Sequence, residues 1–181
     1  MSDRPGTSEP FSRIVRVDAL PRDGQTFDLD ATPAEREALA ASCKLPSVEA
    51  LRASLTVKRA GREGARVTGT VQGELTQTCV VSLEPFPASV DEDVDVRFEP
   101  PAAETPGGSP AGEPIIVAID EDEPDPLIDG KIDIGALAAE FFALGLDPYP
   151  RKPGASFEAP ADEGEESSPF AVLRDRTPRK S

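Results

Sequence analysis

The sequence predicts an α+β fold, in which an antiparallel β-meander packs against one N-terminal and one C-terminal helix. Three consecutive segments, 48–59, 65–78 and 90–98, alternate apolar and polar residues and are separated by turn residues. A period of two puts alternate side chains on opposite faces of a strand, so each strand has one buried face and one wet face. Helix-start signals at Thr32 and Asp133 lie on either side of the three strands.

Two elements are predicted before the meander. Residues 12–19 alternate well enough to form a first strand. A helix then begins at Thr32, which forms a capping box with Glu35. Pro33 suits the first helical position, because a backbone N–H there would have no partner within the helix. We expect Pro46 to end this helix.

The three strands of the meander are joined by a hairpin at 61–64 and a turn at 83–87. Gly69 and Gly73 fall on the apolar face of the middle strand, where they permit a bend or the close packing of another element. The polar face of the last strand carries a row of carboxylates, which are Asp91, Asp93 and Asp95.

A second helix is predicted after a long insert. Residues 100–114 are mostly Pro, Gly, Ala and Glu, which predicts a disordered insert, and 115–119 are apolar enough for one short strand. Asp133 then caps a helix whose apolar residues recur at spacings of three and four. Asp147 and Pro148 end it.

The predicted folded domain covers residues 13–157. We expect 1–12 to be disordered because they are polar. Residues 158–181 are predicted to be a disordered tail, made of an acidic linker, an apolar plug at 170–173 and a basic end.

The charge of the chain constrains its partners. The formal net charge is −15 and the pI is near 4.4. Binding to nucleic acid is driven by Lys and Arg that displace counterions, so this composition opposes direct binding to phosphates. An acidic surface suits basic partners, although high net charge also serves solubility alone.

The residue types needed for catalysis are scarce. The chain has no histidine, which is the commonest general base and metal ligand, and no nucleophile lies beside an obvious base. We therefore expect no enzyme and no catalytic residue. The presence of only two cysteines favours a reducing compartment. The N-terminus is polar, and no apolar run approaches the ~18–20 residues that cross a bilayer. A cytoplasmic protein without membrane contact is predicted.

Three sequence blocks carry a family resemblance. The first is Gln-Thr-Cys-Val-Val-Ser-Leu-Glu-Pro at 77–85, the second runs from Ile-Asp-Ile-Gly at 132–135 to Asp-Pro-Tyr-Pro at 147–150, and the third is Pro-Phe-Ala-Val-Leu at 169–173. In this order, with an acidic insert between the first two, they resemble the YceD family of bacterial and plastid proteins. The resemblance implies a non-enzymatic ribosome-biogenesis factor, which supports the synthesis, processing or stability of large-subunit ribosomal RNA.

The resemblance also bears on Cys79. Many YceD-like proteins carry Cys-x-x-Cys at this place, whereas this chain has Ser82 as the second residue of the pair. Structural zinc usually takes four Cys or His ligands, and the chain offers two cysteines in all, so no metal and no cofactor are predicted. Cys79 continues the inward phase of the preceding strand, which predicts a buried cysteine that acts as a small apolar residue.

Three groups of residues are candidates for binding partners. The carboxylate row can receive a basic protein segment, or it is a solvated strand face. A basic–aromatic patch suits exposed RNA bases, or its tyrosine anchors a turn against the second helix; the patch consists of Tyr149, Arg151 and Lys152. The apolar plug, with Phe170 and Leu173, docks either on its own domain or on a partner.

The expected partner is a basic ribosomal protein or a ribosome assembly factor. Any contact with RNA is expected to be indirect or weak, because the chain is so acidic. Two other classes of protein stay as alternatives, namely an RNA-processing enzyme and a zinc or thiol redox protein.

Overall fold

The computed structural model describes residues 10–61, 63–101 and 124–157. In chain order, these residues form β1 (Ile14–Arg16), a short 3-10 turn (Val17–Ala19), β2 (Gln25–Asp30), α1 (Pro33–Cys43), β3 (Ser47–Ala60), β4 (Gly64–Thr78), β5 (Pro85–Glu99), β6 (Asp125–Pro126), β7 (Lys131–Asp133) and α2 (Ile134–Leu144). One sheet has the order β2-β3-β4-β5-β6, and β1 pairs with β7 in a second, two-stranded sheet. The predicted α+β fold with its antiparallel meander is confirmed.

The meander is longer and wider than predicted. The strands β3, β4 and β5 pair as two long antiparallel ladders, of which the first has a register shift between Val48 and Ala50. Strand β5 begins at Pro85, inside the predicted turn. The prediction missed β2, which pairs antiparallel with β3 along its whole length. Only Phe27 and Leu29 of β2 are apolar, and both are only partly buried, so their alternation is too short to stand out in the sequence.

Helix α1 begins as predicted. The Thr32 backbone N–H donates to Glu35 Oε2 at 2.9 Å, and the Glu35 N–H donates to Thr32 Oγ1 at 3.4 Å, which is a complete capping box. Arg13 also pairs with Glu35 at 2.7 Å, and the hydrogen bonds from Arg13 and Thr32 lower the pKa of Glu35 to about 2. The helix ends before Pro46, because Lys44 takes a left-handed conformation with φ of 57°.

Helix α2 is held at its start by Asp133 and packed on the sheet by Phe142. Asp133 Oδ1 accepts hydrogen bonds from Gly135 N at 3.1 Å and Ala136 N at 3.0 Å, as an N-cap residue does. The Phe142 ring is fully buried and lies where a methyl group on Gly73 of β4 would be. Gly73 therefore gives α2 its close approach to the sheet, as the sequence predicted.

The N-terminal start of the fold differs from the prediction. The strand β1 covers only three residues of the predicted 12–19, and the 3-10 turn follows it. Phe11 belongs to the predicted disordered stretch 1–12, yet it is only 1% exposed and joins the main apolar cluster. The Arg13 guanidinium lies 4.7 Å from the centre of the Phe11 ring. The folded part of the chain therefore starts earlier than residue 13.

Several predicted features lie outside the described residues. They are the insert beyond Pro101, the short strand at 115–119, the acidic linker, the basic end, and the apolar plug with Phe170 and Leu173. At eleven residues each, α1 and α2 are too short to span a bilayer, and the described ranges contain no longer helix.

Candidate functional site

The turn between β4 and β5 presents apolar side chains at one end of the sheet. The chain reverses over residues 79–84, where Cys79 N donates to Glu84 O at 2.9 Å and Leu83 N donates to Cys79 O at 2.9 Å. Leu83 adopts a left-handed backbone conformation with φ of 59°, which is rare for residues other than glycine. Its side chain is 76% exposed. Val80 of the same turn is also exposed. The turn thus holds two apolar side chains out of the core.

The segment after α2 runs beside this turn. The side-chain amide nitrogen Nε2 of Gln77 donates to Asp147 O at 3.1 Å, and Val80 N donates to Pro150 O at 2.9 Å. At the far end of the contact, Lys152 Nζ pairs with Glu84 Oε2 at 2.8 Å. The first two sequence blocks, which lie about fifty residues apart in the chain, are therefore joined in space by one backbone and one side-chain hydrogen bond, and Lys152, just past the second block, adds an ion pair.

Cys79 lies under this turn in a polar cradle. Its Sγ accepts hydrogen bonds from Val81 N and Ser82 N, both at 3.4 Å. The Ser82 hydroxyl and these backbone N–H groups favour the thiolate, and they lower the pKa of Cys79 to about 6 although burial opposes the shift. Cys79 is fully buried, as predicted, but it lies outside the main apolar cluster. Besides being a small buried residue, Cys79 thus accepts hydrogen bonds, which the sequence did not indicate.

The Cys79 thiol should titrate with a pKa of about 6, below the ordinary thiol value of 9.0, because the Ser82 hydroxyl and backbone N–H groups donate to Sγ. The thiolate then contributes to stability above the pKa of the unfolded thiol, and that contribution is lost as the pH falls through about 6. The thiolate absorbance of wild type, with that of a Cys79→Ser variant subtracted, measures the pKa. Ser82→Ala should raise it, and Cys43→Ser should leave it unchanged. A Cys79 pKa near the ordinary thiol value would contradict the hydrogen bonds to its Sγ.

We define the tip surface as Val80, Leu83, Tyr149, Arg151 and Lys152. Tyr149 is 73% exposed, so its ring does not anchor the segment against α2, contrary to one of the two expectations. The segment is held by its backbone instead, since Tyr149 N donates to Asp147 Oδ1 at 2.8 Å. Exposed apolar and aromatic side chains beside cations are typical of binding surfaces.

The carboxylate row lies on the outer face of β5, as the alternation predicted. Asp91 is paired in the ladder with Gln72, and Asp95 with Thr68, and all three carboxylates of the row are exposed. Arg66 makes two hydrogen bonds to Asp95, at 2.7 Å and 2.5 Å, and these lower the pKa of that carboxyl. The row therefore keeps most of its negative charge at its Asp91 end.

Sequence reasoning missed a groove between α2 and β5. It has a volume of about 550 Å³, and both charged and apolar residues line it; the large apolar ones are Val96, Leu137, Phe141 and Leu144. The spacing of Leu137, Phe141 and Leu144 along α2 shows a second apolar side of the helix, which could have indicated the groove. The described ranges bring no three Cys, Asp or Glu residues together as a metal site.

The sheet, the tip surface and the groove are features of an α+β protein that exposes apolar side chains, among other places, at the tip surface and in the groove. Residues 67–175 match the family model described as "Large ribosomal RNA subunit accumulation protein YceD". Because this match covers more than half of the chain, the protein belongs to the YceD family. The matched range starts in β4, includes β5, α2 and the tip surface, and extends through the apolar plug. No match was found among curated proteins or among solved structures.

Proposed function

We propose that this protein is a non-enzymatic ribosome-biogenesis factor, which supports the synthesis, processing or stability of large-subunit ribosomal RNA through protein partners. The observation that carries the proposal is the family match, whose description names large-subunit ribosomal RNA and whose range includes every residue of the tip surface. A role in ribosome assembly implies a cytoplasmic protein.

The proposed partner is a basic ribosomal protein or an assembly factor. The net charge of −15 and the exposed carboxylates of β5 attract a basic segment, and such complementarity speeds association and selects partners. Asp91 and Asp93 are the available part of the row, because Asp95 is already engaged by Arg66. The tip surface supplies the apolar and aromatic contact area that the acidic strand lacks. Contact with RNA is indirect or weak in this proposal.

Deleting the gene should lower the ratio of large-subunit to small-subunit ribosomal RNA in cells, because large-subunit RNA that fails to assemble is lost. The ratio is measured on total RNA, and subunit profiles are recorded at fast and slow growth. Normal ratios and profiles under both conditions would refute the proposal. Turnover of an RNA substrate by the pure protein would overturn its non-enzymatic part.

Rescue of the deletion tests the carboxylate row. The double variant Asp91→Asn, Asp93→Asn should capture less of the basic partner and restore the ratio poorly, because it removes the available charge of the row. The matched control is Asp28→Asn, Asp30→Asn, which makes the same change on the edge strand β2, three strands away from β5 in the same sheet. Equal loss of capture in both variants would mean that net charge, and not the row, attracts the partner.

A further inference from the structure

The groove beside α2 exposes apolar surface that folding of the described residues leaves uncovered. Leu144 is 71% exposed on one wall, and Phe141 beside it is only partly buried. Five charged residues line it: the carboxylates are those of Asp95, Asp125 and Glu140, and the guanidiniums are those of Arg66 and Arg97. Arg66 pairs with Asp95, so the lining carries one net negative charge. Apolar side chains beside a small net negative charge fit a short apolar segment that is directly followed by basic residues.

We propose that the apolar plug at 170–173 docks in this groove of its own chain, with Phe170 and Leu173 against its apolar residues. The plug is followed by Arg174 and Arg176, whose charges are opposite to the net charge of the lining. Twenty-four residues of the chain follow Phe157, the last described residue, and the family match ends at 175, two residues beyond the plug. This inference concerns the folded chain alone and does not depend on the proposed function.

The linker is long enough for this docking. Phe157 follows the segment that is bonded to the β4–β5 turn, at the start of β5, whereas the groove lies beside residues 95–97 near its end. Twelve residues separate Phe157 from Phe170, and an extended chain of that length spans up to ~43 Å. The strand from Pro85 to Arg97 covers ~40 Å at ~3.3 Å per residue, so the tail can run back along β5 to the groove.

Charge favours the plug over the other apolar segment outside the described residues, 115–119. That segment is followed by Asp120, Glu121, Asp122 and Glu123. Docking it would bring four more carboxylates towards a lining whose net charge is already negative, and like charges at short range repel. The plug is directly followed by two arginines and one aspartate instead, and the nearest carboxylate before it, Glu166, lies four positions from Phe170.

The test compares melting temperatures of full-length variants. Phe170→Ser, Leu173→Ser should lower the Tm by about 5 °C, because two large side chains no longer cover the groove. Leu144→Ser should lower it by about 3 °C. When the three changes are combined, the Tm should be no lower than that of the tail pair, because the two sides contact each other. The matched control, Leu83→Ser with Phe157→Ser, changes the same residue types where both are exposed, and its effect should be small and additive with Leu144→Ser.

Three results would overturn the proposal. A tail pair that melts like the wild type, or adds fully to Leu144→Ser, would mean that the plug does not use this groove. If the Tm loss of Leu144→Ser instead fails to add to that of the double change Ile116→Ser, Ile119→Ser, the groove is assigned to the other apolar segment, 115–119. A wild-type Tm that rises with protein concentration and loses this rise in the tail pair would make a second copy of the chain the source of the plug.

Discussion

Replacing Phe142 with alanine should lower the free energy of unfolding by about 3–5 kcal/mol. The Phe142 ring is fully buried and occupies the space that Gly73 leaves open on β4, so its removal creates a cavity between helix and sheet that neither element can fill. Urea denaturation followed by circular dichroism measures the loss, and an unchanged m-value would show that the folded state remains compact.

Phe141→Ala is the control for this prediction. The two phenylalanines are adjacent in α2, but Phe141 lines the open groove and is only partly buried. Both substitutions are made in the Phe170→Ser, Leu173→Ser background, which leaves the groove open. Phe141→Ala should then cost less than half as much as Phe142→Ala, because little cavity is created at an accessible surface. Equal losses for the two variants would mean that α2 is rotated about its axis from the position described.

Gly69→Ala should be the second strongly destabilising substitution, with a loss of about 3 kcal/mol. A methyl group on Gly69 would overlap the carbonyl oxygen of Ser54 on β3, and it would lie 3.0 Å from Leu55 Cα. Both are backbone atoms of the neighbouring strand, which cannot move away without breaking the ladder on either side of the Leu55–Gly69 pair. Thermal and urea unfolding both measure the effect.

Gly61→Ala is the matched control for Gly69→Ala. Gly61 has a left-handed φ of 62°, and a methyl group there would have no neighbouring atom within 4 Å. Gly61→Ala should lower the free energy of unfolding by about 1–2 kcal/mol, which is the cost of the left-handed backbone conformation alone. If Gly61→Ala is as damaging as Gly69→Ala, steric overlap between β3 and β4 is not the cause.

The elements that the sequence could predict are those with strong local signals. Long alternation identifies β3 and β4, and the capping residues Thr32 and Asp133 mark both helix starts, because these features depend on neighbours within a few positions. The edge strand β2 is short and half exposed, so its two apolar residues carry little periodicity. Phe11 follows a polar stretch and gives no pattern at all.

The surfaces were less predictable because they depend on contacts between distant residues. Alternation places the carboxylate row on the outer face of β5, but the engagement of Asp95 by Arg66 requires the register of two strands. The tip surface exists because Val80 binds Pro150, seventy positions along the chain. Apolar spacing in α2 includes both Phe141 and Phe142, and only the packing against Gly73 shows that Phe142 is the core residue.

The pairing of β1 with β7 has a consequence for folding during synthesis. Residues 14–16 pair with 131–133, and the Arg13 N–H donates to Asp133 Oδ1 at 2.7 Å. At ~5–20 residues per second, a ribosome needs roughly 6–24 s to make the chain between these two strands. The β3–β4 hairpin is complete well before then, whereas β1 has no partner until β7 has been made. The first strand to be synthesised is thus among the last to be fixed, and translation itself delays closure of the fold.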